Sequence, residues 1–393
     1  MRLRALCLVL FFLVFCPTDG FSQSTYPFNE TGYESVMKLA RNGNKPVLYM
    51  FYASWCPHCH VMRDQVFPDA EVKSILEKNF IVAAQETDAP GGKALMRKYN
   101  VNSFPTFIVI DASGKLLYGF SGELKKADLI KELNDAKDLK KQLPYLASEF
   151  NADKSNADKC LAYVLALRKA RQDADDVASS YLDTKSDKEL VSAANWKIIA
   201  NAVNDINSRE FQYVLKHQKE FAAVSSDKRV ERKIENIAQE ALKSLAEASD
   251  TTAYKKIRPQ VKDMAMRRTD SVLYVYDKQI YENTKNWKAY RSATFDATEK
   301  FAWKNYQTLR NTAGIYLSEF KDSESLKKAI VWAERASELQ PSKESYLQIA
   351  KLYEKTNDIP KAIAVATQAK EFCEKIGFGT KEVDEILNRL QSK

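Results

Sequence analysis

Val47-Leu48-Tyr49-Met50-Phe51-Tyr52-Ala53-Ser54-Trp55-Cys56-Pro57-His58-Cys59-His60 is the stretch on which the reading of this chain turns. Val47 to Tyr52 is a short apolar and aromatic run of the kind that forms a buried strand. His60 to Phe67 reads as helix. Cys56 and Cys59 are therefore expected at a strand-to-helix turn, with Cys56 near the helix N-terminus. Unpaired N–H groups and the helix dipole favour a thiolate there, and a thiolate is the attacking species in disulfide exchange. Two cysteines separated by two residues can also close into a disulfide with little backbone movement. This turn predicts redox chemistry on thiols.

Working outward, residues 23–140 read as one α/β unit. Tyr33 to Asn42 is a first helix, ended by Asn42-Gly43-Asn44. After the strand and the cysteine turn, Pro68-Asp69 breaks the helix and Ala70 to Lys78 continues as another. Phe80 to Ala84 is a second strand, Lys93 to Tyr99 a helix and Phe107 to Ile110 a third strand. Asp111 to Gly114 turns into Lys115–Phe120, and a last helix runs from Lys125 to about Asp138.

This β-α-β-α-β-β-α order resembles the thioredoxin fold, a central mixed sheet flanked by helices. Three local matches carry the resemblance: Trp55-Cys56-Pro57-His58-Cys59 after a central strand, Ser103-Phe104-Pro105-Thr106 before a strand, and the Asp111-Ala112-Ser113-Gly114-Lys115 hairpin. The Cys-Pro-His-Cys centre is similar to DsbA. The surrounding spacing, with Met62 and Phe67 on the helix, looks more like the thioredoxin domain of DsbD-type thiol:disulfide interchange proteins.

The resemblance implies that Cys56 is the nucleophile and Cys59 resolves the mixed disulfide, the two forming a redox-active disulfide with no further cofactor and no metal. A zinc site needs four ligands, and no second Cys-x-x-Cys exists. A charged imidazole on His58, beside Cys56, would stabilise the thiolate and make the disulfide more oxidising. Pro105 is expected to be cis and, lacking an N–H, to leave a backbone edge free for a substrate chain. Trp55, Pro57 and Phe104 would shape the docking surface. One departure stands out. Thioredoxins carry a buried aspartate six residues before the first cysteine, and here that position is Met50. Asp64 on the active-site helix is a substitute base to consider. Cys56-Pro57-His58-Cys59-His60 also satisfies C-x-x-C-H, the covalent haem motif, which stays as an alternative.

Residues 141–393 read as helical throughout. Trp196, Ile199, Val203 and Ile206 recur at helical spacing, as do Val230, Ile234, Ile237, Ala241 and Leu245. Residues 141–300 show no alignable repeat. Within 301–393, Ala313, Tyr316, Ala329, Ala336 and Pro341 answer Ala350, Tyr353, Ala362 and Ala369, with the first copy about four residues longer at Phe320 to Glu324. This pattern resembles tetratricopeptide repeats, against the plainer reading of an antiparallel helical bundle. Cys160 and Cys373 are expected as core residues.

The 393 residues suffice for two or three domains. Hydrophobic content of 45% and charged content of 28% are globular values. A net charge of +8 from interspersed charges shows no basic stripe, and no nucleic-acid partner is expected. Arg2 and Arg4 before the apolar run Ala5–Cys16, then Gly20-Phe21-Ser22, read as a signal peptide over residues 1–22 cleaved before Gln23. Lipidation at Cys16 is the weaker variant. A periplasmic or secreted protein without a spanning segment follows. Its expected partners are client proteins with cysteines and a membrane electron donor or acceptor. The leading expectation is an exported thiol-disulfide oxidoreductase. The alternative is a client-binding scaffold whose thioredoxin-like domain acts as a redox switch.

Overall fold

The computed structural model describes residues 26–393; the expected signal peptide and the Cys16 lipidation site lie outside them. Two compact units divide the chain, one running through Val203 and one from Asn204 to Lys393.

The first unit opens with helix α1 (Tyr33–Gly43), strand β1 (Val47–Tyr52), helix α2 (Pro57–Val61) and helix α3 (Ala70–Asn79). A wide π turn, Met62–Val66, continues α2. Strand β2 (Ile81–Glu86), helix α4 (Gly92–Lys98), strands β3 (Thr106–Ile110) and β4 (Leu116–Ser121) and helix α5 (Lys126–Lys137) follow. The sheet order is β2-β1-β3-β4. β1 runs parallel to β2 and antiparallel to β3. A parallel pair needs a crossover, and α2 with α3 supplies it.

β1 is buried on both faces, as a central strand covered by helices must be. Alternate residues feed two cores. Leu48 and Met50 enter a cluster with Cys56, Cys59, Met62, Phe67, Phe107 and Phe120. Val47, Tyr49 and Phe51 enter the opposite one, with α1 and α4. The mixed sheet with flanking helices is the thioredoxin fold expected from the sequence, with element ends within about three residues, the active-site helix starting at Pro57 and not at His60.

Helices α6 (Leu143–Ala152), α7 (Ala157–Lys169), α8 (Asp175–Leu182) and α9 (Ala193–Ala202) also belong to the first unit. The expected boundary near residue 140 thus falls inside a compact body. The reason is a weld onto β4. Gly119 lies so close to Ala170 that an added Cβ would come within 2.8 Å of its Cα. Lys169 Nζ donates to the Tyr118 hydroxyl at 2.6 Å and pairs with Glu132 at 2.5 Å. Arg171 Nε reaches Ser121 Oγ at 3.1 Å, and Asn100 Nδ2 donates to the Arg171 carbonyl at 2.8 Å.

The second unit is helical: α10 (Arg209–Lys216), α11 (Gln218–Ala223), α12 (Asp227–Glu247), α13 (Thr251–Asp263), α14 (Thr269–Asn283), α15 (Trp287–Thr294), α16 (Ala297–Ala302), α17 (Tyr306–Glu319), α18 (Ser323–Leu339), α19 (Lys343–Lys355), α20 (Ile359–Ile376) and α21 (Lys381–Gln391). On α12, Val230, Ile234 and Ile237 are buried as expected, but Ala238, Leu242 and Ala246 continue the buried stripe where Ala241 and Leu245 were expected. The buried residues Ile234, Ala238, Leu242 and Ala246 step by four, and at 3.6 residues per turn a stripe with that step winds around the helix.

α17 with α18, and α19 with α20, form two consecutive helical hairpins. Ala313, Ala329, Ala336, Ala350, Ala362 and Ala369 are all buried in them. The extra length of the first copy is helical, not in its turn. Both turns hold three residues, 320–322 and 356–358, and the surplus extends the end of α17 and the start of α18. About four residues are close to one helical turn, so the buried face keeps its phase. Among the described residues, no helix is long and apolar enough to cross a membrane.

Candidate functional site

Cys56 occupies the N-cap of α2 in an extended conformation, and Pro57 takes the first helical position. Proline suits that position because its missing N–H has no helical partner to lose. The backbone closes tightly around the first cysteine. The Cys56 N–H donates to the Ala53 carbonyl at 3.1 Å, and the Cys56 carbonyl accepts from Cys59 N–H at 3.1 Å and His60 N–H at 3.3 Å. Both cysteines are thiols in this structure. Cys56 is 4% exposed and Cys59 1%. Beneath them Phe67, Phe107 and Phe120 stack in series, with centroids 5.8 and 4.9 Å apart, a rigid apolar floor.

Burial, and next the hydrogen bond shared with the Cys56 thiol, push the Cys59 thiol up to about 12. The Ala53 backbone and the Arg63 charge act in the opposite direction. Cys59 thus resists ionisation.

The Phe104–Pro105 peptide bond is cis. The Pro105 carbonyl accepts from Gly122 N–H at 2.8 Å, and Thr106 Oγ1 donates to the Ser103 carbonyl at 2.8 Å, so the loop is fixed from both sides. Phe104 packs against the cluster that contains both cysteines. Its ring meets Trp55 edge-to-face at 6.1 Å. Trp55 itself is 69% exposed. The structure therefore joins the cysteine turn and the proline loop through an aromatic pair whose tryptophan faces solvent.

His58 has a partner from a distant loop. Its Nδ1 lies 2.6 Å from Glu123 Oε2 in the loop after β4. Leu124 N–H in the same loop approaches Met62 Sδ at 3.2 Å, and Lys126 pairs with Asp69 and Glu71, each at 3.0 Å. Residues 122–126 so run as a strap alongside the active-site helix. His60 Nε2 is bound to the Ser54 carbonyl at 2.8 Å, and its Nδ1 is 3.7 Å from Asp64. Asp64, the substitute base considered for Cys59, is thus turned toward His60. Arg63, next in the chain to Asp64, follows Cys59 by four residues, the spacing of one helix face.

Glu123 and Arg63 are the two site residues that sequence reasoning missed. Glu123 is 65 residues from its partner, and nothing local marks it. Arg63 carries a usable signal, because four residues after Cys59 on a helix is the same face. Cys160 and Cys373 are buried in helical cores remote in sequence from the turn, and burial pushes the Cys160 thiol up to about 12. Among the described residues, no group of three His, Cys, Asp or Glu side chains comes together as a metal site requires.

Part of the chain is similar to known proteins. The thioredoxin-like domain family matches residues 33–137. Thioredoxin Y2 of Arabidopsis thaliana chloroplasts is 32% identical over 108 residues, which cover 28% of this chain and 61% of that protein. The thiol:disulfide interchange protein DsbD of Ralstonia nicotianae is 30% identical over 82 residues, 21% of this chain and 14% of that protein. A thioredoxin solution structure from Thermus thermophilus matches at 30% identity over 27% of this chain and 85% of that one, with a TM-score of 0.26. The chain spans less than two thirds of either sequence relative. Residues 33–137 of this chain match a thioredoxin-like domain, and a largely helical region follows them.

Proposed function

We propose that this protein is an exported thiol-disulfide oxidoreductase that exchanges disulfides with client proteins. Cys56 attacks a client disulfide, or passes its own disulfide to a client dithiol, and Cys59 resolves the mixed disulfide. The observation that carries the reading is the Cys56 N-cap, backed by buried Cys59 and flanked by the Trp55–Phe104 aromatic pair and the cis Pro105 loop. A nucleophile at a helix start next to an exposed aromatic ledge suits docking of a peptide segment around its cysteine. The covalent haem alternative fits poorly. It needs both sulfurs reachable and a free imidazole nitrogen toward iron, whereas Cys59 is 1% exposed and His60 Nε2 is engaged by the Ser54 carbonyl.

The second unit supplies no reactive cluster. We assign it a holding role, built on tetratricopeptide-like hairpins, since stacked helix pairs offer extended grooves for partners. One cleft of about 380 Å³ is lined by Val272, Tyr274, Val275, Tyr276, Phe301 and Arg268. Such a unit would position the client whose cysteines reach Cys56, and a membrane partner would reset the pair.

Reduction of an insulin-type disulfide substrate tests the assignment. Wild type should turn over, and Cys56→Ser should not. Equal behaviour of the two would favour the scaffold reading.

A further inference from the structure

Cys59 must ionise to resolve a mixed disulfide, yet it is the more buried of the two thiols. The β1 position that could have offered a carboxylate is Met50, fully buried in the same apolar cluster. One cation is placed to act instead. Arg63 follows Cys59 by four residues across α2 and the π turn, the spacing of side chains on one helix face. Its side chain is 20% exposed. The guanidinium lies 4.2 Å from the Tyr52 ring centroid and 5.1 Å from that of Phe28, and Nη1 donates to Glu30 Oε1 at 2.9 Å. The Tyr52 hydroxyl donates to the same carboxylate oxygen at 3.1 Å. A cation pinned in this way at a partly desolvated place keeps more of its Coulomb effect than a surface arginine.

Cys56 opposes ionisation of Cys59 through its hydrogen bond and its charge while both are thiols, an opposition that is absent once Cys56 is held in a mixed disulfide. Tyr26, from the N-terminal segment, is pushed up to about 12 by burial and then by Glu77. Burial, the largest cause, likewise raises Tyr52. Asp64 is turned to His60.

We propose that Arg63 is a positioning residue for the resolving step: its guanidinium stabilises the Cys59 thiolate, and Glu30 both holds that guanidinium and attenuates its charge. The proposal rests on the thiol-exchange reading above. In the step, the Cys59 thiol gives its proton to water. The thiolate then attacks Cys56 Sγ of the mixed disulfide. The Cys59–Cys56 bond forms as the Cys56–client bond breaks, and the client sulfur leaves as a thiolate that takes a proton from water. Across both steps the cysteine pair loses two electrons and the client disulfide gains them. A larger thiolate fraction on Cys59 speeds this attack.

The test uses the full-length protein with glutathione loaded on Cys56, and follows glutathione release as a function of pH. Because Cys59 is held well above neutrality, release should accelerate as pH rises. Arg63→Met should slow release at neutral pH by about tenfold, the equivalent of one pKa unit, and move the profile to higher pH. Arg63→Lys should recover most of the loss. Glu30→Gln, which keeps an acceptor oxygen but removes the charge, should do the opposite and move the profile to lower pH. An unchanged profile in Arg63→Met overturns the proposal. So does slowing by both Arg63→Met and Glu30→Gln, the result that loosened packing would give. If wild type releases no glutathione, the thiol-exchange reading fails. The pH profile of Cys59 alkylation, mapped by peptide mass in the same variants, then decides the Arg63 assignment by the same signs.

Discussion

The two compact units bury their side chains by different means, and the difference separates chemistry from surface. In the first, a four-stranded sheet feeds large residues into two cores, and the Phe67–Phe107–Phe120 stack backs a single reactive turn. In the second, small alanines let helices of successive hairpins approach, with Tyr316 and Trp332 filling the space between them at 4.8 Å. A sheet with helices on both faces holds a few side chains rigidly where a strand ends. Stacked hairpins hold no such point but present long faces. This contrast is why we place the redox step in the first unit and partner holding in the second.

Cys56→Ser is the most severe way to challenge the contrast. Without its nucleophile the protein should lose disulfide turnover altogether. Cys59→Ser should instead trap clients as mixed disulfides on Cys56. Turnover retained by Cys56→Ser would remove the first unit's claim to the chemistry.

Trp332→Ala addresses the other side. Trp332 is fully buried in the second unit, and truncating a core tryptophan costs about 3–5 kcal/mol. Urea unfolding should show the loss, while turnover of a small disulfide substrate should stay at the wild-type rate. A parallel fall in turnover would mean that the two units do not divide the work.

Gly119→Val examines the weld within the first unit. The new side chain would collide with Ala170, and overpacking of this kind costs about 1–3 kcal/mol. Proteolysis should then release helices α6–α9 before the sheet is cut. Unaltered protection of those helices would restore the boundary near residue 140.

The smallest effect belongs to His58 and Glu123, whose side chains are 67% and 41% exposed. His58→Ala should make the pair less oxidising by no more than about 30 mV, a tenfold change for a two-electron couple. Glu123→Gln should move the midpoint by less, since exposed ion pairs contribute little. Identical redox titrations of wild type and His58→Ala would refute the tuning role.

What could be read in the sequence was local. The strand Val47–Tyr52, the cysteine turn and the proline loop declare themselves within a few residues, because burial on both faces, N-cap chemistry and proline geometry leave short patterns. The paired alanines and tyrosines of α17–α20 did so too, although the longer first copy proved to lie in helix instead of in its turn. What stayed hidden depends on distant partners. Glu123 meets His58, Lys169 meets Tyr118 and Ala170 meets Gly119 only after the sheet has formed. Polar residues on helices look alike in sequence until such partners are known, so the packing of helices α6–α9 into the first compact unit was not legible. Arg63 is readable from its spacing, four residues after Cys59 on the same helix face.

The most direct measurement equilibrates the full-length protein in glutathione buffers of graded ratio, quenches with acid and maps every cysteine. The account predicts one two-electron transition in which Cys56 and Cys59 pass together from thiols to their mutual disulfide. Its midpoint should be more oxidising than thioredoxin's, about −270 mV, with Cys160 and Cys373 remaining thiols throughout. A Cys56–Cys59 pair that stays reduced across the whole range, or a disulfide from either to Cys160 or Cys373, would contradict it.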